Sequence, residues 1–454
     1  MFRESIIYTI EKALPKLISV IFLPIILRLI SPELWAEIVL LLGLQLFFSL
    51  MLTFGNERAI FKFSENVDNF NVFIKNLIKY FLFGFVIIEL FGQFFENLPF
   101  SLIYGLPIRF MFLSTFFITL NRLLINRMRV LKKPKIVLIS SVFDSFGTPL
   151  IQTLLIFFVV EIDGYRTRVI VTVFFLVQLI FAFIKTVYLN RSLGILTFSI
   201  LKNIRQKLPK EITQFSNINF YVIISGYFIN WQDKFIVEYF FDYEYLGIYG
   251  LTTRVANLIF VIISGLVVSG LANYWPEKHQ GNNQSYIKYN SIVLNILGFI
   301  SLGIICLYTS LGKLLVPSSY FESIELIFFG CLATAFKSLI TIFTVQQGAK
   351  DELSKILKIN IFVLILQILL FLTVPIYNMN QIFFIQIISF SLGILVFFKK
   401  DILRYYKEFI VLSLNFFLIY QILAQNFSVE NIILFLFGSV YVFIGFRSWI
   451  KINK

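Results

Sequence analysis

The chain has one histidine, His279, and two cysteines, Cys306 and Cys331, and each shortage removes a class of function. A zinc site built on imidazoles needs several histidines, and a nucleophilic triad needs one at the reacting centre. His279 falls in a connection between apolar segments, so neither arrangement is expected inside a membrane. Both cysteines lie within apolar segments, where a thiol is a small core group, and they do not reveal the redox compartment. No G-x-x-x-x-G-K-[ST] occurs, so the chain lacks the phosphate-gripping loop of an ATP-driven pump. Acids are scarce too: 25 Asp and Glu stand against 39 Lys and Arg, a formal net charge of +14.

In a soluble protein that charge would point to nucleic acid. Here 58% of residues are hydrophobic and the mean hydropathy is +0.86, which describes a polytopic membrane protein with no nucleic-acid partner. The 57 Phe residues serve as lipid-facing and packing bulk. Trp35, Trp231, Trp275 and Trp449 sit near predicted span ends, where an amphipathic ring anchors at the interface.

About 14 apolar stretches have the length that crosses roughly 30 Å of hydrocarbon. They cover residues 5–30, 36–54, 77–95, 107–126, 136–160, 169–189, 212–237, 247–274, 289–310, 324–345, 359–376, 382–398, 409–424 and 431–446. The connections sort by charge. Alternate loops hold nearly all the Lys and Arg outside the spans, while the other set holds only Arg166, Arg168 and Lys313. Basic loops stay in the cytoplasm, so both termini are expected inside, in the inner (cytoplasmic) membrane. Glu11, Lys12 and Lys16 interrupt the first apolar run, which argues against a cleavable signal.

The expected architecture is all-α: a six-helix lobe over 1–190, a cytoplasmic linker over 191–211, a second six-helix lobe over 212–400 and an extra helix pair over 401–454. Residues 31–38 and 242–249 are similar short outside turns at equivalent places in the two halves, as in a parallel repeat.

Charges inside spans are costly and usually face a bundle interior or a wet cavity. Lys12 and Lys16 lie one turn apart in the first span, with Tyr8 and Ser19 on the same stripe. Gln45, Ser49, Thr53 and Glu57 follow at intervals of four, with Arg58 beside them, and read equally as a pathway or as helix–helix hydrogen bonding. Asp144 continues a similar stripe through Thr148 and Gln152, and Arg122 is its expected partner. Gln214, Asn217, Tyr221 and Ser225 mark the seventh span, and Asp233 and Lys234 read as a compensating pair near the outer surface. Arg254, with Asn257 three residues on, is the leading anion-binding candidate, an acid on another helix being the competing reading. Lys337 lies midway along the tenth span with no adjacent acid. Bases outnumber acids in the spans, which predicts a cationic cavity and an anionic cargo. No catalytic residue, metal site or cofactor is expected.

Three stretches carry a family resemblance: Leu27-Arg-Leu-Ile-Ser-Pro-Glu-Leu-Trp, Phe54-Gly-Asn-Glu-Arg-Ala, and Asn230-Trp-Gln-Asp-Lys-Phe-Ile-Val-Glu followed by Gly247-Ile-Tyr. The pattern resembles the Wzx-type polysaccharide-biosynthesis flippases, in the superfamily that also holds the lipid II flippase MurJ and the MATE exporters. That resemblance implies two six-helix lobes around a cationic cavity and movement of an undecaprenyl-diphosphate-linked oligosaccharide, such as an O-antigen or capsule repeat unit. It places Lys12, Lys16, Arg58 and Arg254 where family members carry cavity bases, joined here by Lys337. Gln45, Ser49, Glu57, Asp144, Gln214, Asn217 and Tyr221 would supply the polar remainder. The implied partners are the lipid-linked glycan, membrane lipids, and the polymerase and glycosyltransferases of the same biosynthesis. The chain departs from the pattern in its first-helix lysines and in Lys234, where the family commonly carries arginine. A MATE-type cation-coupled exporter would instead have acids dominating the cavity. A membrane enzyme acting on lipid-linked sugars would need long outside loops, and the predicted ones are short.

Overall fold

A computed structural model describes residues 14, 17–63, 67–95, 106–131, 133–163, 167–193, 209–279, 284–348 and 353–398. These form α1 (Leu17–Leu27), α2 (Pro32–Thr53), α3 (Asn56–Phe63), α4 (Val67–Phe95), α5 (Leu106–Val130), α6 (Pro134–Asp163) and α7 (Thr167–Leu193). Then follow α8 (Lys210–Phe240), α9 (Tyr243–His279), α10 (Gln284–Leu315), α11 (Glu322–Gly348), α12 (Leu353–Thr373) and α13 (Met379–Phe397). Among the described residues there is no strand. In hydrocarbon a backbone must satisfy its polar groups within itself, and a helix does so.

Ten of these helices are long and apolar enough to cross a membrane. The protein is therefore a multi-pass membrane protein. α8 is more polar, but its 31 residues reach about 46 Å at 1.5 Å per residue. The two expected spans at 409–424 and 431–446 lie outside the described residues.

Two compact units make up the chain, and the division falls inside α8, between Gln232 and Asp233. In the N-terminal unit α5 packs on α2 and on α7, with α6 against α7. In the C-terminal unit α11 packs on α9 and on α13, with α10 against α9 and α11 and α12 against α13. Thus α2, α5 and α7 have the same relation to one another as α9, α11 and α13. A parallel repeat generates that pattern.

Local chemistry sets the ends of α2. Ser31 caps its first turn by accepting from the Leu34 amide at 3.4 Å, and Pro32 occupies the position where no amide is needed. At its other end Phe54 (φ 45°) and Gly55 (φ 76°) adopt the left-handed region, which stops the helix and starts α3. Below that break Ala59, Ile60, Phe70, Phe73, Leu124 and Met128 form part of one apolar core, each at most 1% exposed.

Two tryptophans depart from the expected interfacial placement. Trp35 is fully buried, as are its neighbours Ala36 and Ile38, because the first turn of α2 is interior to the unit. Trp231 stacks on Tyr227 and lies over Gly43 of α2, where any Cβ would overlap its ring. Small residues let helices approach this closely. The exposed face of α6 is apolar, with Phe143, Phe146, Leu150, Phe157 and Phe158, as a lipid-facing surface should be.

Candidate functional site

The polar line on α2 turns toward α5 and α7. Gln45 donates to Ser114 at 2.9 Å and to Gln178 at 3.0 Å. Ser49, 1% exposed, accepts from Thr119 at 2.9 Å and from an Arg122 Nη at 3.0 Å. Thr53 bonds back to its own helix at Leu50, and Glu57 stands 3.6 Å from Arg122. Of the two readings open for this line, Gln45 and Ser49 follow the helix–helix one. The Arg58 side chain lies outside the described residues, as do Lys12 and Lys16.

The expected pair of Arg122 with Asp144 does not form. Arg122 lies on the face of α5 turned to α2, whereas Asp144 lies on the face of α6 turned to α7. Asp144 is met there by Lys185 at 3.0 Å and accepts from Thr148 at 3.1 Å. The same α6 stripe continues to Gln152, which donates to the Phe174 carbonyl of α7 at 2.9 Å. On α5, Asn121 donates to the Ala182 carbonyl at 2.8 Å and accepts from Thr186 at 2.9 Å.

On α8 the predicted stripe divides. Gln214, Asn217 and Tyr221 are exposed, while Ser225 is buried. The opposite face docks on the break after α2. Ser216 donates to Asn56 at 2.8 Å, Asn219 donates to the Gly55 carbonyl at 2.6 Å, and Phe220 stacks on Phe54. Farther along, Tyr227 donates to the Gly43 carbonyl at 3.2 Å.

The C-terminal unit gathers the remaining charges. Asp233 and Lys234 pair at 3.3 Å, but they are 3% and 6% exposed rather than superficial. They lie roughly 10 Å below the end of α8. There Tyr249 of α9 donates to Asp233 Oδ2 at 2.8 Å and Gln386 of α13 to the same oxygen at 2.9 Å. Neither was expected as a partner of Asp233: Tyr249 entered only as the end of the Gly247-Ile-Tyr stretch, and Gln386 reads as an isolated amide in an apolar run.

Deeper in the same unit, Lys337 of α11 donates to Asn257 Oδ1 at 3.2 Å, and its ammonium lies 4.4 Å from the Phe260 ring centre. Asn257 is about 21 Å and Lys337 about 22 Å from the starts of their helices, each well inside a segment long and apolar enough to cross a membrane. Arg254, half-buried, lies nearly one turn before Asn257 on α9. The unit thus carries an arginine, an amide and a lysine at neighbouring depth. Among the described residues, no three His, Cys, Asp or Glu side chains converge as a metal site would need.

No protein-family profile matches the sequence, and no curated protein does. Solved structures do match its fold. The lipid II flippase MurJ in an inward closed conformation superposes with a TM-score of 0.65 at 14% identity, covering 98% of this chain and 99% of that chain. An inward-facing multidrug resistance MATE family transporter of the MOP superfamily gives 0.58 at 14% identity, covering 90% of this chain and 95% of that chain. A MATE transporter in a bent conformation gives 0.55 at 14% identity, with 90% and 95% covered. The fold of this chain is that of the MurJ flippase and the MATE transporters.

Proposed function

We propose that the chain is a flippase that moves an undecaprenyl-diphosphate-linked oligosaccharide, an O-antigen, capsule or similar repeat unit, from the inner to the outer leaflet of the inner (cytoplasmic) membrane. The observation that carries this reading is Lys337. It lies well inside a helix long and apolar enough to cross a membrane, and its hydrogen bond goes to a neutral amide. A cation at that depth is costly and marks a binding site or pathway by default. A phosphate group would supply the compensation that the amide and the Phe260 ring supply only in part.

Arg254 sits on the same stretch of α9 as Asn257 and is the second proposed phosphate contact. Lys12, Lys16 and Arg58 remain proposed contacts for the diphosphate from the other end of the chain. The exposed face of α8, with Gln214, Asn217 and Tyr221, offers amides and a phenol to the sugars. A glycan cannot cross hydrocarbon without groups that replace its water contacts. The polyprenyl tail needs no such path and stays in lipid. Alternating access through a cationic central cavity is the proposed cycle, and the fold likeness to a lipid-carrier flippase supports it. Glycosyltransferases would supply the cargo and a polymerase would consume it.

A MATE-type exporter of small molecules is the second reading, favoured by the fold likeness and by the buried Asp233 carboxylate. That carboxylate is already met by Lys234, Tyr249 and Gln386, so a coupling cation would have to displace an ammonium. Deleting the gene tests the first reading. Lipid-linked repeat units should accumulate in the inner leaflet and surface glycan should disappear. Normal surface glycan in the deletion strain contradicts it.

A further inference from the structure

Arg122 is held unlike the closely ion-paired cations Arg109, Lys185 and Lys234. Among the described residues, Arg109 meets Glu89 at 2.7 Å, Lys185 meets Asp144 at 3.0 Å, and Lys234 meets Asp233 at 3.3 Å. Arg122 stands 3.6 Å from Glu57, beyond hydrogen-bond length. The Glu57 Oε1 that faces it is buried and accepts no hydrogen bond. One Nη of Arg122 is fixed by Ser49 at 3.0 Å, and Ser49 is itself fixed by Thr119. The side chain as a whole is 41% exposed. A guanidinium has five donors. Ser49 therefore holds one nitrogen of the fork, the same Nη1 that faces Glu57, while the other donors are unused.

Resting on the flippase reading, we infer that Arg122 is a phosphate-contacting residue of the N-terminal unit and that Glu57 is the internal anion which the cargo phosphate displaces. The chemistry favours the exchange. A guanidinium binds a phosphate through two parallel charge-assisted hydrogen bonds, whereas the loose carboxylate offers it only attraction across a gap. Ser49 keeps the fork aimed during the exchange, so little side-chain entropy is lost on binding. When the phosphate leaves, Glu57 again neutralises the guanidinium, so Arg122 is never left in the membrane without a counter-charge. The nearby carboxylate also repels the bound phosphate, which limits affinity and assists release. Arg122 lies about 12 Å from the end of α5. That depth is within reach of a headgroup entering from that end.

The test is binding of undecaprenyl diphosphate to the purified full chain in nanodiscs, with undecaprenyl alcohol as the tail-only control and the melting temperature followed for each variant. Arg122→Gln should weaken diphosphate binding about tenfold or more, as loss of charge-assisted hydrogen bonds requires. Arg122→Lys should fall between the two, since a point charge keeps the attraction and loses the fork. Glu57→Gln should tighten binding severalfold, a gain that misfolding cannot produce. Binding of the alcohol should not change. If the wild type prefers the diphosphate and the Arg122 variants bind it equally well, the inference about Arg122 is overturned and the flippase reading stands. If Glu57→Gln weakens binding as much as Arg122→Gln does, Glu57 is a scaffold and the displacement is overturned. If the wild type binds diphosphate and alcohol alike, both readings fail.

Discussion

Tyr249 donates its hydroxyl to Oδ2 of Asp233 at 2.8 Å, tying α9 to the last turns of α8 within the C-terminal unit. With Gln386 on the same oxygen and Lys234 on the other, one carboxylate collects donors from three helices. In an interior of low dielectric, a fully satisfied network of this kind rigidifies the fold, and each missing member leaves a costly orphan. Tyr249→Phe should destabilise the protein by about 1–3 kcal/mol. Asp233→Asn breaks a buried ion pair and should cost more, about 3–5 kcal/mol. Thermal unfolding in detergent reads both. Equal, negligible shifts would show that the network does not hold the unit together.

The approach of Trp231 to Gly43 makes a steric prediction. A methyl at Gly43 would overlap the indole, so Gly43→Ala should destabilise by about 1–3 kcal/mol through overpacking. Adding Trp231→Ala should recover much of that loss, because the two sites are in contact and their effects should not add. Additive losses would show that the ring does not constrain position 43.

Gly55 is fixed by its backbone. Its φ of 76° lies where L side chains are strained, and an added Cβ would also meet the Ser216 carbonyl and the Phe220 amide. Gly55→Ala should cost roughly 1–2 kcal/mol in conformation alone and more through the lost docking of α8. Asn219→Ala should weaken the same docking without strain. Protease cleavage near the start of α8 would report it, accelerated in both variants. Unchanged cleavage in both would place the docking elsewhere.

Lys337 separates function from stability. Replacing it with Gln removes a cation that is costly inside a span, so the melting temperature should hold or rise. Transport of lipid-linked glycan should nevertheless fall by about tenfold or more, the loss expected when a charge-assisted contact disappears. Lys337→Arg should retain part of the activity. A variant that loses both stability and transport together would make Lys337 structural.

The membrane class was legible in the sequence because a span needs only length and apolarity, and both are local properties. Residues 31–54 show this well: Ser31 and Pro32 announce the start of α2, and the Phe54-Gly55 pair marks its end. Partner choice was much less legible. Arg122 and Asp144 lie at similar estimated depths, but which face of α5 meets α2 depends on packing that no local pattern encodes. The pairing of Tyr249 and Gln386 with Asp233 was illegible for a related reason, since a single polar atom on another helix has no periodicity that tells which group it meets. Trp35 was misplaced because proximity to a span end does not tell an interfacial ring from an interior one.

The most direct measurement reconstitutes the purified chain in proteoliposomes loaded with a fluorescent undecaprenyl-diphosphate-linked oligosaccharide in one leaflet. An impermeant reagent or glycosidase outside then reports how much has crossed. Transfer should require the protein, fall with Lys337→Gln, and be competed by undecaprenyl diphosphate. Protein that leaves the labelled lipid in its original leaflet, or that moves it equally well without Lys337, would contradict the account.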